Sequence, residues 1–424
     1  MSAPMQLPLF DISNLSEEDW TFSGAPTRTL THCYHDYPAR MIPQVAARLL
    51  ERFAPQPAIL FDPYCGTGTS LVEGLIRGHE AHGTDLNPLA RLISRAKTAP
   101  LSLEALDAAV ADLEVWLRSP MRTPERLPTG IDLAFWFQPQ AVEQLAHVRA
   151  WLDQLADDDL RAFFAVAFSE TVRECSNTRP DEFKLYRLPQ ARLRTHTPDV
   201  FNLLRTKIAR NREGLCQFLA AYAAAPRQSR AHIHAFNSVQ GIPLEQIAPE
   251  SVQIVVTSPP YGDSRTTVAY GQFSRLAAEW LGLPEAARVD RALMGGTSLS
   301  KLPNFHVPLL DLALQQIYAQ APRRALEVAA FYADLRASIT NVASIMARNG
   351  IVCYVVGNRS VKGARLPTDH AIQRFFEALG FAHVVTYQRA IPNKRMPLRN
   401  SPSNRSGATA VTMTHESVVV MRKV

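Results

Sequence analysis

The sequence has no apolar run near the ~20 residues that a membrane-spanning helix requires. Its N-terminus, Met1 to Glu18, shows no basic start leading into an apolar segment. Neither a membrane-spanning protein nor a secreted precursor is expected. Cysteine is scarce and odd in number: Cys33, Cys65, Cys175, Cys216 and Cys353 are scattered and form no CxxC pair. This indicates neither a disulfide framework nor a metal site, and it favours the reducing cytoplasm. The chain also lacks GxGxxG and GxxxxGK[ST], which argues against nicotinamide dinucleotides and nucleoside triphosphates. Internal repeats and low-complexity tracts are absent as well.

What is there is a chain of 424 residues, 46% apolar and 20% charged. That suits a globular protein with one large core and sizeable insertions. The net charge of +6 and the pI of about 9.1 fit a polyanionic partner. Ala390 to Arg405 carries Lys394, Arg395, Arg399 and Arg405 with no acidic residue. Such a stretch is either a solvated loop or a loop that contacts phosphates.

Hydrophobic periodicity predicts a helix from near Arg40 through Leu50, a strand at 58–61, a Gly/Thr turn and a helix through Ile76. A second strand at 79–84 and a second helix at 88–97 follow. This alternation opens a parallel, doubly wound sheet. Residues 100–228 read as almost wholly helical, with periodic stretches at 103–117, 139–155, 160–175 and 200–224. Strands resume at 232–236 and 252–256, and a mixed Gly/Pro-interrupted stretch covers 262–306. A helix at 324–346, strands at 350–356, 383–388 and 416–421, and a helix at 370–379 complete the chain. The expected organisation is a catalytic domain built from 1–99 and 229–424, interrupted by a helical insertion at 100–228.

Two local patterns carry chemistry. Phe61-Asp62-Pro63-Tyr64-Cys65-Gly66-Thr67-Gly68-Thr69 joins the first strand to its helix. Gly66 and Gly68 permit a tight bend and close approach to a ligand, and the helix N-terminus faces the site. Asp62, at the strand end, is placed to hold an amino group. Gly83-Thr84-Asp85-Leu86-Asn87-Pro88 ends the second strand with an acid where such folds bind a ribose diol. An acid before the glycine turn and another after the second strand suit S-adenosylmethionine, which has an ammonium group, a ribose and an adenine but no phosphate. Taken singly, the glycine turn reads as a tight connection and Asp85 as a helix cap.

The second pattern is Thr257-Ser258-Pro259-Pro260-Tyr261, directly after an apolar strand. Two prolines end the ladder and turn the chain outward. The turn presents a serine, free carbonyls and an aromatic ring at the sheet edge where ligands bind. By itself a Pro-Pro-Tyr is a common loop; its place after the cofactor pattern gives it weight.

With both patterns in place, the chain resembles the S-adenosylmethionine-dependent DNA amino-methyltransferases. Asp62 to Gly68 is similar to their cofactor motif and Ser258 to Tyr261 to their catalytic motif. Thr31 to Arg40 is similar to the segment that closes over the methionine part of the cofactor. Gly357-Asn358-Arg359, Ile391 to Arg395 and His415-Glu416 also match. The likeness covers about 30–98 and 230–424; within the helical block only Cys175 to Asn177 and Glu182 to Lys184 match.

The resemblance implies a Rossmann-like α/β fold: a mostly parallel seven-stranded sheet with an antiparallel last strand. It implies cofactor contacts from Tyr34, Tyr37, Pro38, Asp62, Tyr64, Cys65, Gly66, Gly68, Thr69, Asp85 and Asn87. Asn237 stands where members often show Gly-Asp and is the candidate for the cofactor's adenine. Pro259 and Pro260 form the rigid turn. Ser258 Oγ and the Pro259 carbonyl are expected to accept the amino N–H groups of the target, and Tyr261 to stack on a flipped-out base. A serine at the first motif position is associated mostly with cytosine N4, and Asp or Asn with adenine N6. The partner implied is double-stranded DNA, with a cognate restriction endonuclease as a possible companion. Arg265, Lys301, Lys394 and Arg395 are candidate phosphate contacts. Ring-carbon methylation requires a Pro-Cys nucleophile, and no Pro-Cys occurs. The remaining alternatives are adenine N6 methylation, RNA base methylation and a non-catalytic DNA-binding module on the same fold.

Overall fold

The computed structural model describes residues 19–124, 127–180, 182–262, 269–284, 288–391, 399–400, 410–411 and 413–424. Seven strands form the central sheet. They are β1 (Ile59–Asp62), β2 (Glu80–Thr84), β3 (Ala231–His234), β4 (Val252–Thr257), β5 (Met346–Val356), β6 (Phe381–Ala390) and β7 (His415–Lys423). Their order across the sheet is β3-β2-β1-β4-β5-β7-β6. The ladders β3·β2, β2·β1, β1·β4 and β4·β5 are parallel, and β7 runs antiparallel to both β5 and β6. This is the mostly parallel sheet with an antiparallel last strand that the sequence led us to expect.

The central strands β1, β4, β5 and β7 carry apolar residues on both sides because both faces are covered there. Successive residues point to opposite faces. Leu60, Ile254, Val256, Cys353, Val355, Val418 and Val420 pack with Val45, Leu49 and Leu50 of helix α1 (Pro43–Phe53) and with Leu71 of α2 (Thr69–Leu75). Their neighbours Phe61, Val255, Val352, Tyr354 and Val419 face the helices Pro308–Gln320, Pro322–Ile345 and Thr368–Glu377. A third core is built by the helices Leu103–Leu117, Pro139–Leu152, Asp158–Cys175 and Val200–Ala223, which pack on α3 (Pro88–Thr98) through Leu89, Ala90 and Ile93.

Among the described residues, two helices of twelve or more residues escaped the sequence reading. Tyr270–Leu281 lies inside the stretch read as mixed, and its face Phe273, Leu276, Ala277 and Trp280 joins the third core. Pro308–Gln320 was assigned no element. Pro308 and Pro322 both sit in the first turn of a helix, where proline's missing N–H costs nothing. No helix among the described residues is long and apolar enough to cross a membrane.

Candidate active site

The chain passes from β1 outward to β2 and β3, then returns to place β4 on the other side of β1. Crevices form at the carboxyl ends of strands where the order reverses in this way. Asp62 ends β1, Asp85 follows β2, and Ser258 follows β4. An open cleft lies there. It is lined by Tyr37, Pro38, Asp62, Tyr64, Cys65, Gly66, Thr69, Asp85, Asn87, Asn237, Ser258 and Pro260, residues that span more than two hundred positions in sequence.

Asp62 is 3% exposed. Its Oδ1 accepts from Tyr64 N–H at 3.0 Å and from Thr257 Oγ1 at 2.5 Å, and its Oδ2 accepts from the Ser70 hydroxyl. The carboxylate therefore ties β1 to β4 and to α2. Burial outweighs these donors and pushes Asp62 up to about 6. A buried carboxylate of this kind is improved by a cation.

The glycine turn is shaped for close approach. Gly66 (φ +50°) and Gly68 (φ +73°) both occupy the left-handed region. A Cβ on Gly68 would lie 3.0 Å from Ser94 Oγ, whose hydroxyl donates to Gly66 O at 2.8 Å. Asp85 accepts from Gly66 N–H at 3.0 Å and from Asn87 N–H at 2.7 Å. It thus braces the turn while it borders the cleft. Burial raises its pKa against the opposing effect of these two N–H groups.

Asn87 caps α3 by accepting from Leu89 N–H at 3.1 Å. Its amide donates to Tyr37 Oη at 2.8 Å and to Ser274 Oγ at 3.1 Å. Tyr37 stacks on Tyr270, with centroids 5.8 Å apart. The cleft wall over the second strand is therefore carried jointly by the N-terminal segment and the Tyr270–Leu281 helix. On the other wall, Tyr64 Oη donates to Ser338 Oγ at 2.5 Å, and Asn237 Oδ1 closes a local turn on Val239 N–H at 3.0 Å. Thr67 Oγ1 is buried at the cleft and meets no hydrogen-bond partner among the described residues.

The Ser-Pro-Pro-Tyr turn borders two spaces. Ser258 and Pro260 face the cleft, while Tyr261 and Gly262 line a second, narrower depression with Val328, Phe331, Tyr332, Arg359 and Leu366. A Cβ on Gly357 would overlap Met413 Sδ and lie 3.2 Å from the Tyr261 ring, so glycine there makes room for Met413 first and for the ring beside it. Ser258 Oγ donates to Tyr261 Oη at 3.3 Å, which donates to Glu416 Oε1 at 2.8 Å. Glu416 is ion-paired with Arg389 across β7 and β6.

The chain is 39% identical over 423 residues to the Type II methyltransferase M.MvaI of Kocuria varians, a match that spans 95% of this chain and 93% of that protein. This chain belongs to the Type II methyltransferases. It is an enzyme that methylates DNA. A shorter stretch of 82 residues is 30% identical to the Type II methyltransferase M.MjaII of Methanocaldococcus jannaschii, covering 19% of this chain and 16% of that protein. No family model matches the chain. Among solved structures it is similar to the rRNA methyltransferase aviRa of Streptomyces viridochromogenes (13% identity, 92% of this chain and 88% of that chain, TM-score 0.34). It is also similar to TrmN of Thermus thermophilus (9% identity, 91% and 50%, TM-score 0.32). Likeness at these scores carries no argument about function.

In this methyltransferase not every residue singled out from sequence reaches the cleft. Tyr34 is fully buried and packs edge-on against Phe163 at 5.6 Å, inside the helical core. Gly68 supports the turn from behind as the N-cap of α2, and Pro259 is buried and does not line the cleft. Lys301 is exposed. Arg265, Lys394 and Arg395 lie outside the described residues. The sequence reading missed Tyr270 and Met294 as cleft residues, and Arg389 as the partner of Glu416.

It also assigned no metal site, and among the described residues the structure gathers one candidate ligand group. Glu80, His82 and His232 bring their ligand atoms within 4.8 Å of one another. Burial, reinforced by His232 and His234, pulls His82 down to about 4. Glu80 is shared with Arg227 at 3.5 Å. The signal was two alternations, Glu80-x-His82 and His232-x-His234, which only strand pairing joins.

Proposed function

We propose that this methyltransferase transfers a methyl group from S-adenosylmethionine to the exocyclic N4 of a cytosine flipped out of duplex DNA. The observation that carries the reading is one cleft lined together by Asp62, Asp85, Ser258 and Pro260. The residues fit the methyl donor. Asp62 is a buried carboxylate improved by an ammonium group, Asp85 borders the cleft where a ribose diol binds, and the orphaned Thr67 hydroxyl awaits a polar partner. Tyr37 and Pro38 would cover the methionine part, and Asn237 would meet the adenine. When bound, S-adenosylmethionine supplies an electrophilic methyl on a sulfonium centre.

The residues of the chain then have to make a poor nucleophile competent. An exocyclic amino nitrogen is delocalised into its ring. Ser258 Oγ, which lines the cleft, would accept one of its N–H bonds and draw it toward sp³ geometry; the Pro259 carbonyl, in a residue buried in the ligand-free protein, would have to turn toward the base to accept the other. Flipping costs a few kcal/mol, and stacking on Tyr261 would return roughly 1–3 kcal/mol. The depression shared by Tyr261, Phe331 and Tyr332 is the aromatic space adjoining the turn. Holding donor and acceptor in one cleft supplies much of the acceleration. A cognate endonuclease reading the same site would be the natural companion of such an enzyme.

Treated plasmid DNA, digested to nucleosides and analysed by mass spectrometry, should contain N4-methylcytosine. Finding N6-methyladenine alone would overturn the base assignment. Ser258→Ala should lower turnover at least ~100-fold with cofactor affinity unchanged; a wild-type rate would remove Ser258 from the mechanism.

A further inference from the structure

We infer that Glu416 is a positioning residue that fixes the direction of the Ser258 hydroxyl and so makes the site select an amino group over a carbonyl. The inference rests on the amino-methylation reading above. Three hydroxyl and carboxyl groups lie in sequence: Ser258 Oγ to Tyr261 Oη at 3.3 Å, then Tyr261 Oη to Glu416 Oε1 at 2.8 Å. The far oxygen of Glu416 is held by Arg389, and Arg389 Nε donates to Trp20 O at 3.1 Å. The Arg389 and Glu416 side chains are 6% and 12% exposed. Of this chain of groups only Ser258 lines the cleft.

The direction of each bond follows from proton counting. A carboxylate paired with a guanidinium only accepts. Tyr261 must therefore spend its one proton on Glu416. Burial, then the nearby Glu416 charge, pushes the Tyr261 hydroxyl well above its ordinary range, so that proton stays on. The Tyr261 oxygen can then only accept, and the Ser258 proton is its donor. Ser258 is left with lone pairs, and no proton, for the cleft. Lone pairs suit a substrate amino group, which has N–H bonds to give. They repel a ring carbonyl at the same position. A site whose hydrogen-bond polarity is fixed rejects the wrong partner far more strongly than one whose hydroxyl is free to turn.

Glu416→Gln reverses the sequence without removing a side chain. Arg389 requires an acceptor, so the amide oxygen faces Arg389 and the amide NH2 faces Tyr261. Tyr261 then accepts from the amide and donates to Ser258, which turns its own proton into the cleft. The expected result is a fall in kcat of roughly 10- to 100-fold, with the dissociation constants for S-adenosylmethionine and for DNA within about two-fold of wild type. Tyr261→Phe cuts the chain, so adding Glu416→Gln to Tyr261→Phe should lower kcat no further. A kcat within two-fold of wild type in Glu416→Gln would overturn the inference, as would an undiminished effect of Glu416→Gln in the Tyr261→Phe background. Ser258→Ala, measured in parallel, separates the two readings. If Ser258→Ala loses activity and Glu416→Gln does not, the positioning role alone is wrong. If Ser258→Ala is as active as wild type, both readings fall.

Discussion

Asp62→Asn tests whether the cleft stores destabilisation that a cationic ligand relieves. Asp62 is 3% exposed, and its burial lifts it from 3.8 to about 6 despite three donors. A carboxyl with a native pKa above its unfolded value favours the folded state only while protonated. The cost of ionising it is absent below 3.8, grows as pH rises toward about 6, and is complete above that. It amounts to ~3 kcal/mol in the ligand-free protein, of which about half develops between pH 5 and pH 8. The amide fits the same contacts. Tyr64 N–H fixes its oxygen, and the Ser70 and Thr257 hydroxyls can rotate to accept or donate as required. Urea denaturation of ligand-free wild type and Asp62→Asn at both pH values isolates this group from all others that titrate. The variant should gain on wild type by ~1–2 kcal/mol between pH 5 and pH 8. Its affinity for S-adenosylmethionine should fall at least ~10-fold, because the ammonium loses its partner. A stability difference that does not change with pH would refute the buried-carboxylate argument, whatever happens to binding.

Two further perturbations have defined outcomes. Gly68→Ala forces a side chain into φ +73° and against Ser94, loosening the Ser94 bond to Gly66; it should cost ~2–3 kcal/mol in denaturation midpoint analysis, and a loss under ~0.5 kcal/mol would contradict the packing described. Lys97 is 1% exposed, its Nζ has no hydrogen-bond partner among the described residues, and burial, then Arg40, pulls it down to about 7. The unfolded chain binds the extra proton between that value and 10.5, so wild-type stability should rise with pH across this window. Lys97→Met should abolish the rise and raise the melting temperature at pH 7; an unchanged melting temperature would show that Lys97 is satisfied in solution.

Much of the site was legible because its demands are local. Asp62, Gly66 and Gly68 fall within one strand-to-helix turn, and positive φ at two positions calls for glycine regardless of what packs above them. The acid after β2 and the proline-stopped end of β4 are likewise written in short segments. Apolar runs gave the central strands because each buries alternate residues on two covered faces. It failed at 270–281 and 308–320, where glycine and proline stand in helices whose reason for existing is the core they close.

What the sequence by itself determined is therefore the inventory: a parallel-sheet methyltransferase pattern, its two motifs, and a serine where an acid could have stood. Which residues meet was decided only by the tertiary structure. Tyr34 and Tyr37 are nearly adjacent in the chain, yet one is sealed against Phe163 and the other reaches the cleft through Asn87 and Tyr270. Ser258 and Glu416 are brought within one tyrosine of each other because β7 inserts antiparallel beside β5. Backbone preferences act over a few residues and leave a trace in composition. Contacts across the sheet depend on strand order and register, and no short segment carries that information.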